Sequence, residues 1–251
     1  MLIPIEAFKL SIEKWEGLYQ ADPVDVGNVK LPDGTVVGTM RGVTPGAWAQ
    51  FLNRPIRDIT PQMMKAISLT DAARVYEQNY YQAPGFAKLE WGPSVDIIAD
   101  IGWGSGPRRG ALALQNLCGV PQDGAVGPKT VAAHKVWLAE LGDAGAINSL
   151  YKWRAAWYNL IVQRHPSNRK FLKGWLNRAK WQTIDGPWWE AWSNAPAAPQ
   201  PEPVPSAPER QILAAIDETL LDRLAHEAAQ EVLNANPALA VAVAMLRRLF
   251  G

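Results

Sequence analysis

The chain has 251 residues, 48% of them hydrophobic, which suffices for one core, or for one domain with an appendage. The formal net charge is +1, so no general attraction to a polyanion follows, and nucleic acid is not expected as a partner. One cysteine, Cys118, excludes an internal disulfide, and three scattered histidines (His134, His165, His226) form no metal-ligand spacing. No metal and no cofactor are expected.

The N-terminal Met-Leu-Ile-Pro-Ile-Glu lacks a charged leader before a long apolar run. No stretch reaches the roughly 18 apolar residues of a membrane span. The expectation is synthesis in the cytoplasm without a Sec signal and without an integral membrane span. Ile5, Phe8, Ile12 and Trp15 then recur at helical spacing, predicting an N-terminal helix. It leads into Trp15-Glu16-Gly17-Leu18-Tyr19. An acid between aromatic side chains is a candidate proton donor, because apolar walls penalise the ionised carboxylate and keep a proton available near neutral pH. The competing reading is a first-helix acid paired with Lys14 or another nearby base. Asp25 follows, then Thr39 and Thr44, so an acid, a second carboxylate and hydroxyls stand close in sequence.

Val29–Val37 reads as a small hairpin with Pro32-Asp33-Gly34 at its turn. Thr44-Pro45 and Thr60-Pro61 each carry a helix-start signal, a capping threonine followed by proline. In the stretch 72–81, Val75, Tyr76, Tyr80 and Tyr81 are placed to share a helical face. The apolar run 95–101 is expected to break at Gly102-Trp103-Gly104-Ser105-Gly106 before a helix over 108–117. Asp123-Gly124 marks a turn, and helices are expected over 129–141, 144–164 and 171–181. On the 144–164 helix Arg154 falls on an otherwise apolar face, so it needs an internal partner, for which Asp100 is the candidate. Cys118 lies in an apolar run and reads as a small buried hydrophobe.

Six prolines among residues 195–208 define an extended, semi-rigid spacer. It separates a body holding all twelve tryptophans from a tail with none. The body, 1–194, has 21 basic and 17 acidic residues; the tail, 195–251, has 4 and 7. In the tail, Ile212, Ile216, Leu220 and Leu224 recur every four residues, predicting an amphipathic helix.

Several short motifs, in order, resemble the glycoside hydrolase 108 muramidases, lysozymes common among phage endolysins. They are Glu16-Gly17-Leu18-Tyr19, Asp22-Pro23-Val24-Asp25-Val26-Gly27, Thr39, Gly42-Val43-Thr44, Tyr76 with Tyr80-Tyr81, and Asp100, Gly106 and Leu114-Gln115. The run Asp123-Gly124-Ala125-Val126-Gly127-Pro128-Lys129-Thr130, with Arg154, Tyr158 and Gly174-Trp175-Leu176-Asn177-Arg178, is similar to the peptidoglycan-associated domain that accompanies that family. The likeness spans about residues 5–182. Departures are Leu18 for a second glycine, Val26 for proline, Asn28 for glycine, Arg41 for an aromatic, Gly104 for asparagine, and an insertion of about nine residues at 29–37.

The resemblance implies a mainly α, lysozyme-like helical fold with a small β-hairpin next to the catalytic glutamate, followed by the Pro-rich linker and a C-terminal helix. It implies a catalytic lobe over 1–92, a helical peptidoglycan-associated lobe over 93–194, a linker over 195–208, and a docking or self-association helix over 209–251. The implied reaction is hydrolysis of the β-1,4 bond between N-acetylmuramic acid and N-acetylglucosamine, with peptidoglycan as partner and holin-type or other non-classical release to the wall. The alternative is a non-catalytic wall-binding or assembly protein with the same fold. Glu16 would be the general acid, with Asp25 as base, nucleophile or electrostatic stabiliser, and Thr39 helping to hold a water as in phage lysozymes with a Glu–Asp–Thr set. Tyr19, Thr44 and Tyr80 would line the substrate site. The bland readings stay beside these: a loop-amide acceptor for Asp25, a strand residue for Thr39, a helix cap for Thr44, and core for Tyr80.

Overall fold

A computed structural model describes residues 2–195. The predicted linker from 196 onward and the tail helix lie outside the described residues. The first helix, α1 (Pro4–Trp15), starts at a proline and buries Ala7, Phe8, Ser11 and Ile12 on one face. It ends because Glu16 turns extended (φ −103°, ψ 135°).

The predicted hairpin forms, with β1 (Val29–Lys30) antiparallel to β2 (Val36–Val37) and Val29 opposite Val37. Gly34, at φ +88°, supplies the left-handed turn residue, and Asp33 caps the turn by accepting from the Thr35 N–H at 2.9 Å. Both threonine caps form too: Thr44 accepts from the Ala47 N–H before α2 (Pro45–Phe51), and Thr60 from the Met63 N–H before α3 (Pro61–Lys65).

The stretch read as one helix over 72–81 is two pieces. α4 (Leu69–Tyr76) opens with a Ser68/Asp71 capping box, and Glu77–Gln82 then winds as a π-helix. Val75, Tyr76 and Tyr81 are buried, while Tyr80 is half-buried.

The expected break at 102–106 is corrected. α5 (Pro93–Ser105) runs through Gly102 and Gly104 and stops only at Gly106, where φ is +87°. Gly102 serves close packing: a Cβ there would stand 3.3 Å from Pro107 Cα, at the start of α6 (Pro107–Leu117). Residues 93–102 of α5 are all buried, so α5 is the central helix, packed against α1, α6 and α7 (Pro128–Arg164). The two helices expected over 129–141 and 144–164 form one run interrupted at Gly142 (φ 63°, ψ 175°). α8 (Arg169–Trp181) folds back on α7, and a helix the sequence reading did not anticipate, α9 (Pro187–Asn194), buries Trp188 and Trp192. Cys118 is only partly covered, yet burial pushes its thiol up to about 11.

Candidate active site

Two acids one turn apart on α5, Asp96 and Asp100, are fully buried. Each ties the central helix to a distant segment. Asp96 Oδ2 accepts from the indole N–H groups of Trp188 (2.9 Å) and Trp192 (3.1 Å). Asp100 meets two guanidiniums. Arg154 of α7 donates from Nη2 at 2.7 Å, and Arg178 of α8 donates from Nη2 at 2.6 Å and from Nε at 3.1 Å. Burial alone pushes the Asp100 carboxyl up, but Arg178 and Arg154 more than offset this and hold it at about 2. The partner expected for Arg154 is thus the one it has, and its remaining donors go to Tyr158 Oη and Gln182 Oε1, both at 2.6 Å. A buried pair is tolerable only when its other donors are satisfied in this way.

Arg178 continues from this buried network to the surface. Its Nη1 reaches Glu16 Oε1 at 2.7 Å, across 162 residues of sequence. The same oxygen accepts from Trp103 Nε1 at 2.8 Å. Burial lowers the Arg178 pKa, but Asp100 and Glu16 outweigh burial and raise it. Glu16 therefore has a base as partner, though the base is Arg178 of α8 rather than Lys14. The sequence reading expected apolar walls from Trp15 and Tyr19. Instead the Trp15 ring packs edge-on against Trp181, and the Tyr19 hydroxyl accepts from the Gly38 N–H at 3.1 Å. The ring at Glu16 is Trp103, the outer member of a stack that runs from the core through Phe8 and Tyr76, with centroid spacings of 4.3 and 4.6 Å. Tyr80 meets Trp103 edge-on at 4.9 Å.

Oε2 of Glu16 makes no hydrogen bond among the described residues and faces Gly42. Both residues line a cleft of about 480 Å³ whose other walls include Trp103, Arg154, Trp157, Trp175 and Arg178.

Asp25 and Thr39 stand together beyond the hairpin stem. Because Val29 pairs with Val37, the inserted residues loop out and Asn28 arrives beside Thr39. A hydrogen-bond chain links them: Thr39 Oγ1 donates to Asn28 Oδ1 (2.9 Å), Asn28 Nδ2 to Gln20 Oε1 (3.0 Å), and Gln20 Nε2 to Asp25 Oδ2 (2.6 Å). Asp25 Oδ1 accepts from the Gly27 N–H at 2.8 Å, the loop-amide role foreseen as its bland reading. A Cβ built on Gly27 would stand 3.2 Å from Asp25 Oδ1 and from Thr44 Cγ2, and 3.7 Å from Thr39 Oγ1. Backbone bonds tie this cluster to the segment after Glu16: Gln20 and Thr39 exchange N–H···O bonds at 2.9 Å, and the Arg41 N–H donates to Gly17 O at 3.0 Å. Leu18, Val24 and Val26 are exposed on the same loop.

The sequence reading did not assign Trp103 and Arg178 to Glu16, nor Gln20 and Asn28 to the Asp25–Thr39 pair. Arg178 stood in a motif, but nothing local in sequence signals a contact 162 positions away. Asp123 behaves as the turn residue expected. Its carboxylate accepts from the Ala125 N–H and Gln115 Nε2, which lower its pKa in that order. Among the described residues no group of His, Cys, Asp and Glu is placed to hold a metal, and no helix is long and apolar enough to cross a membrane.

Residues 10–106 match the family model described as glycosyl hydrolase 108, and residues 109–180 match that of a predicted peptidoglycan domain. The structure is similar to that of SagA from Brucella abortus, with a TM-score of 0.56 and 26% identity over 76% of this chain and 96% of that one. No curated protein sequence matches. The cleft is built from both matched regions, Glu16, Gly42 and Trp103 from the first and Trp157, Trp175 and Arg178 from the second. The chain is thus similar to the glycosyl hydrolase 108 family over residues 10–106 and to a peptidoglycan domain over residues 109–180, on a mainly helical, lysozyme-like fold, and these likenesses support a glycoside hydrolase that acts on peptidoglycan.

Proposed function

We propose that the chain is an N-acetylmuramidase that hydrolyses the β-1,4 bond from N-acetylmuramic acid to N-acetylglucosamine, with Glu16 as general acid and wall lysis as its use. The observation that carries this reading is the division of labour on one carboxyl group. Oε1 is held by Trp103 and Arg178, while Oε2 has no partner among the described residues and lies toward Gly42 of the cleft wall. A carboxyl fixed through one oxygen presents the other as proton donor to a leaving glycosidic oxygen. Once the proton has gone, Arg178 lies 2.7 Å from the carboxylate that remains.

Asp25 is the second carboxylate of this proposal, as base, nucleophile or stabiliser of the oxocarbenium-like state. Thr39 donates its hydroxyl proton to Asn28, so its oxygen stays open to accept from a water beside Asp25. Tyr19 and Thr44 support this region by anchoring Gly38 and capping α2, and Tyr80 supports Trp103.

Mass spectrometry of digested sacculi tests the proposal. Wild-type protein is expected to release fragments with N-acetylmuramic acid at the reducing end and to clear a sacculus suspension. Glu16→Gln should lower the rate by about a thousandfold or more. Fragments ending in reducing N-acetylglucosamine or 1,6-anhydromuramic acid would replace the assignment, and pelleting with sacculi without release of any fragment would overturn it.

A further inference from the structure

One strongly basic patch beside the cleft is not used by the chemistry above. Arg109, near the start of α6, places its guanidinium carbon over the Trp157 ring of α7, 3.7 Å from the centroid. Trp157 lines the same cleft as Glu16, and its indole Nε1 makes no hydrogen bond among the described residues. Stacking uses the face of a guanidinium and leaves its five N–H donors pointing outward in the plane, the geometry that matches a carboxylate. None of those donors is taken: among the described residues the Arg109 side chain has neither a hydrogen bond nor an acidic partner, and only its backbone N–H is used, donating to Gly106 O.

Its charged neighbours make the vacancy sharper. Burial lowers the Arg109 pKa first, and the like charges of Arg108 and Arg164 lower it further. Arg108 is already engaged, donating to the Asp123 carbonyl. A stacked cation with unused donors, among like charges, is stabilised by an arriving anion.

We propose that Arg109, stacked on Trp157 beside the Glu16 cleft, binds a carboxylate on the muramyl branch of a peptidoglycan strand. This rests on the reading of the cleft as the site of a peptidoglycan strand, not on the bond that is cleaved. Two sources share the chemistry, the stem-peptide carboxylates and the lactyl carboxylate exposed when the peptide is removed. The indole holds the guanidinium in place while the guanidinium edge would take the anion in bidentate fashion. The site would make the enzyme select strands that carry this anion over neutral ones.

The test uses the full chain in a Glu16→Gln background, so that affinity is read without hydrolysis. Affinity is measured for intact sacculi, for sacculi whose carboxylates have been amidated with carbodiimide and ammonia, and for soluble strands stripped by an amidase. Arg109→Ala is expected to lower the ratio of affinities for intact over amidated sacculi about tenfold, the worth of one charge-assisted pair. Arg109→Lys, which keeps the charge but not the planar fork, should recover only part of it. If Arg109→Ala also weakens binding to stripped strands, the lactyl carboxylate is bound; if the effect is confined to intact sacculi, the stem peptide is. The proposal is overturned if Arg109→Ala leaves both the intact-to-amidated ratio and the affinity for stripped strands unchanged, whatever the fate of the muramidase reading, because no arm depends on turnover.

Discussion

At the scale of single residues, the candidate site depends on one glycine as much as on its acid. Gly42 sits at φ +75°, where an L side chain is strained. A Cβ there would land 2.7 Å from the Trp103 ring and 2.8 Å from the Glu16 carboxyl. Gly42→Ala is therefore expected to displace the Glu16–Trp103 pair and cut kcat by about ten- to a hundredfold, with a stability loss of roughly 1 to 2 kcal/mol. Steady-state kinetics beside thermal melts check this; unaltered kcat would mean that Gly42 does not set the position of Glu16. Glu16 and Gly42 were both legible in sequence, the first from its neighbours and the second from its place before Val43-Thr44. The departure at Asn28 was also visible, but not its use. Only the closed hairpin shows that this asparagine bridges Thr39 to the Gln20–Asp25 pair.

At the scale of elements, local signals located most helices because proline, threonine and serine caps act within a few residues. The errors came where tertiary packing overrode them. Gly102 and Gly104 read as a break, yet α5 passes through both; at Gly102 the start of α6 comes close, a Cβ there standing 3.3 Å from Pro107 Cα, whereas the space at Gly104 is open. Gly110 shows the close approach most sharply: a Cβ would stand 2.5 Å from the Ile98 carbonyl oxygen and 3.0 Å from Phe86. Gly110→Ala should cost about 2 kcal/mol by forcing α6 outward. Urea unfolding would show this as a lower midpoint with an unchanged slope, and an unshifted midpoint would mean the two helices have slack there. The π-helical turn at Glu77–Gln82 is the other case. Apolar spacing placed four residues on one face, but winding by one extra residue leaves Tyr80 half-buried against Trp103 while Tyr81 goes into the core.

At the scale of the whole molecule, the two buried acids of α5 set opposite dependences on pH. Asp96 is raised to about 7, first by burial and then by the nearby Asp100 charge, although the two indole N–H bonds act the other way. Among the described residues its Oδ1 has no hydrogen-bond donor beside it, so a charge on that oxygen would be left unsolvated. The folded state thus holds a proton that the unfolded chain releases near pH 4, so stability falls as pH rises from about 4 through 7, by roughly 4 kcal/mol at most. Asp100, held at about 2, contributes stability above pH 4 that is lost as pH falls toward 2. His134, whose pKa is lowered chiefly by burial, contributes stability present above pH 6.5 and lost below it. Because His134 opposes Asp96, the clean observable is a difference. The stability of Asp96→Asn minus that of wild type should be near zero at pH 4 and grow to a few kcal/mol by pH 8. A difference flat across that range would show that Asp96 is not protonated in the fold.

The sequence alone determined the helical class, the hairpin, the caps and the candidate acid, because each depends on residues within one or two turns of each other. It also pointed to Asp100 for Arg154, since a cation on an apolar face requires an anion. Tertiary structure alone decided what surrounds Glu16. Arg178 and Trp103 reach it from 162 and 87 residues away, and only the packing of α8 and α5 onto the end of α1 brings those donors to one oxygen. The same packing forms the cleft from both matched regions and leaves the charged Arg109 over Trp157 beside it, without an acidic partner among the described residues.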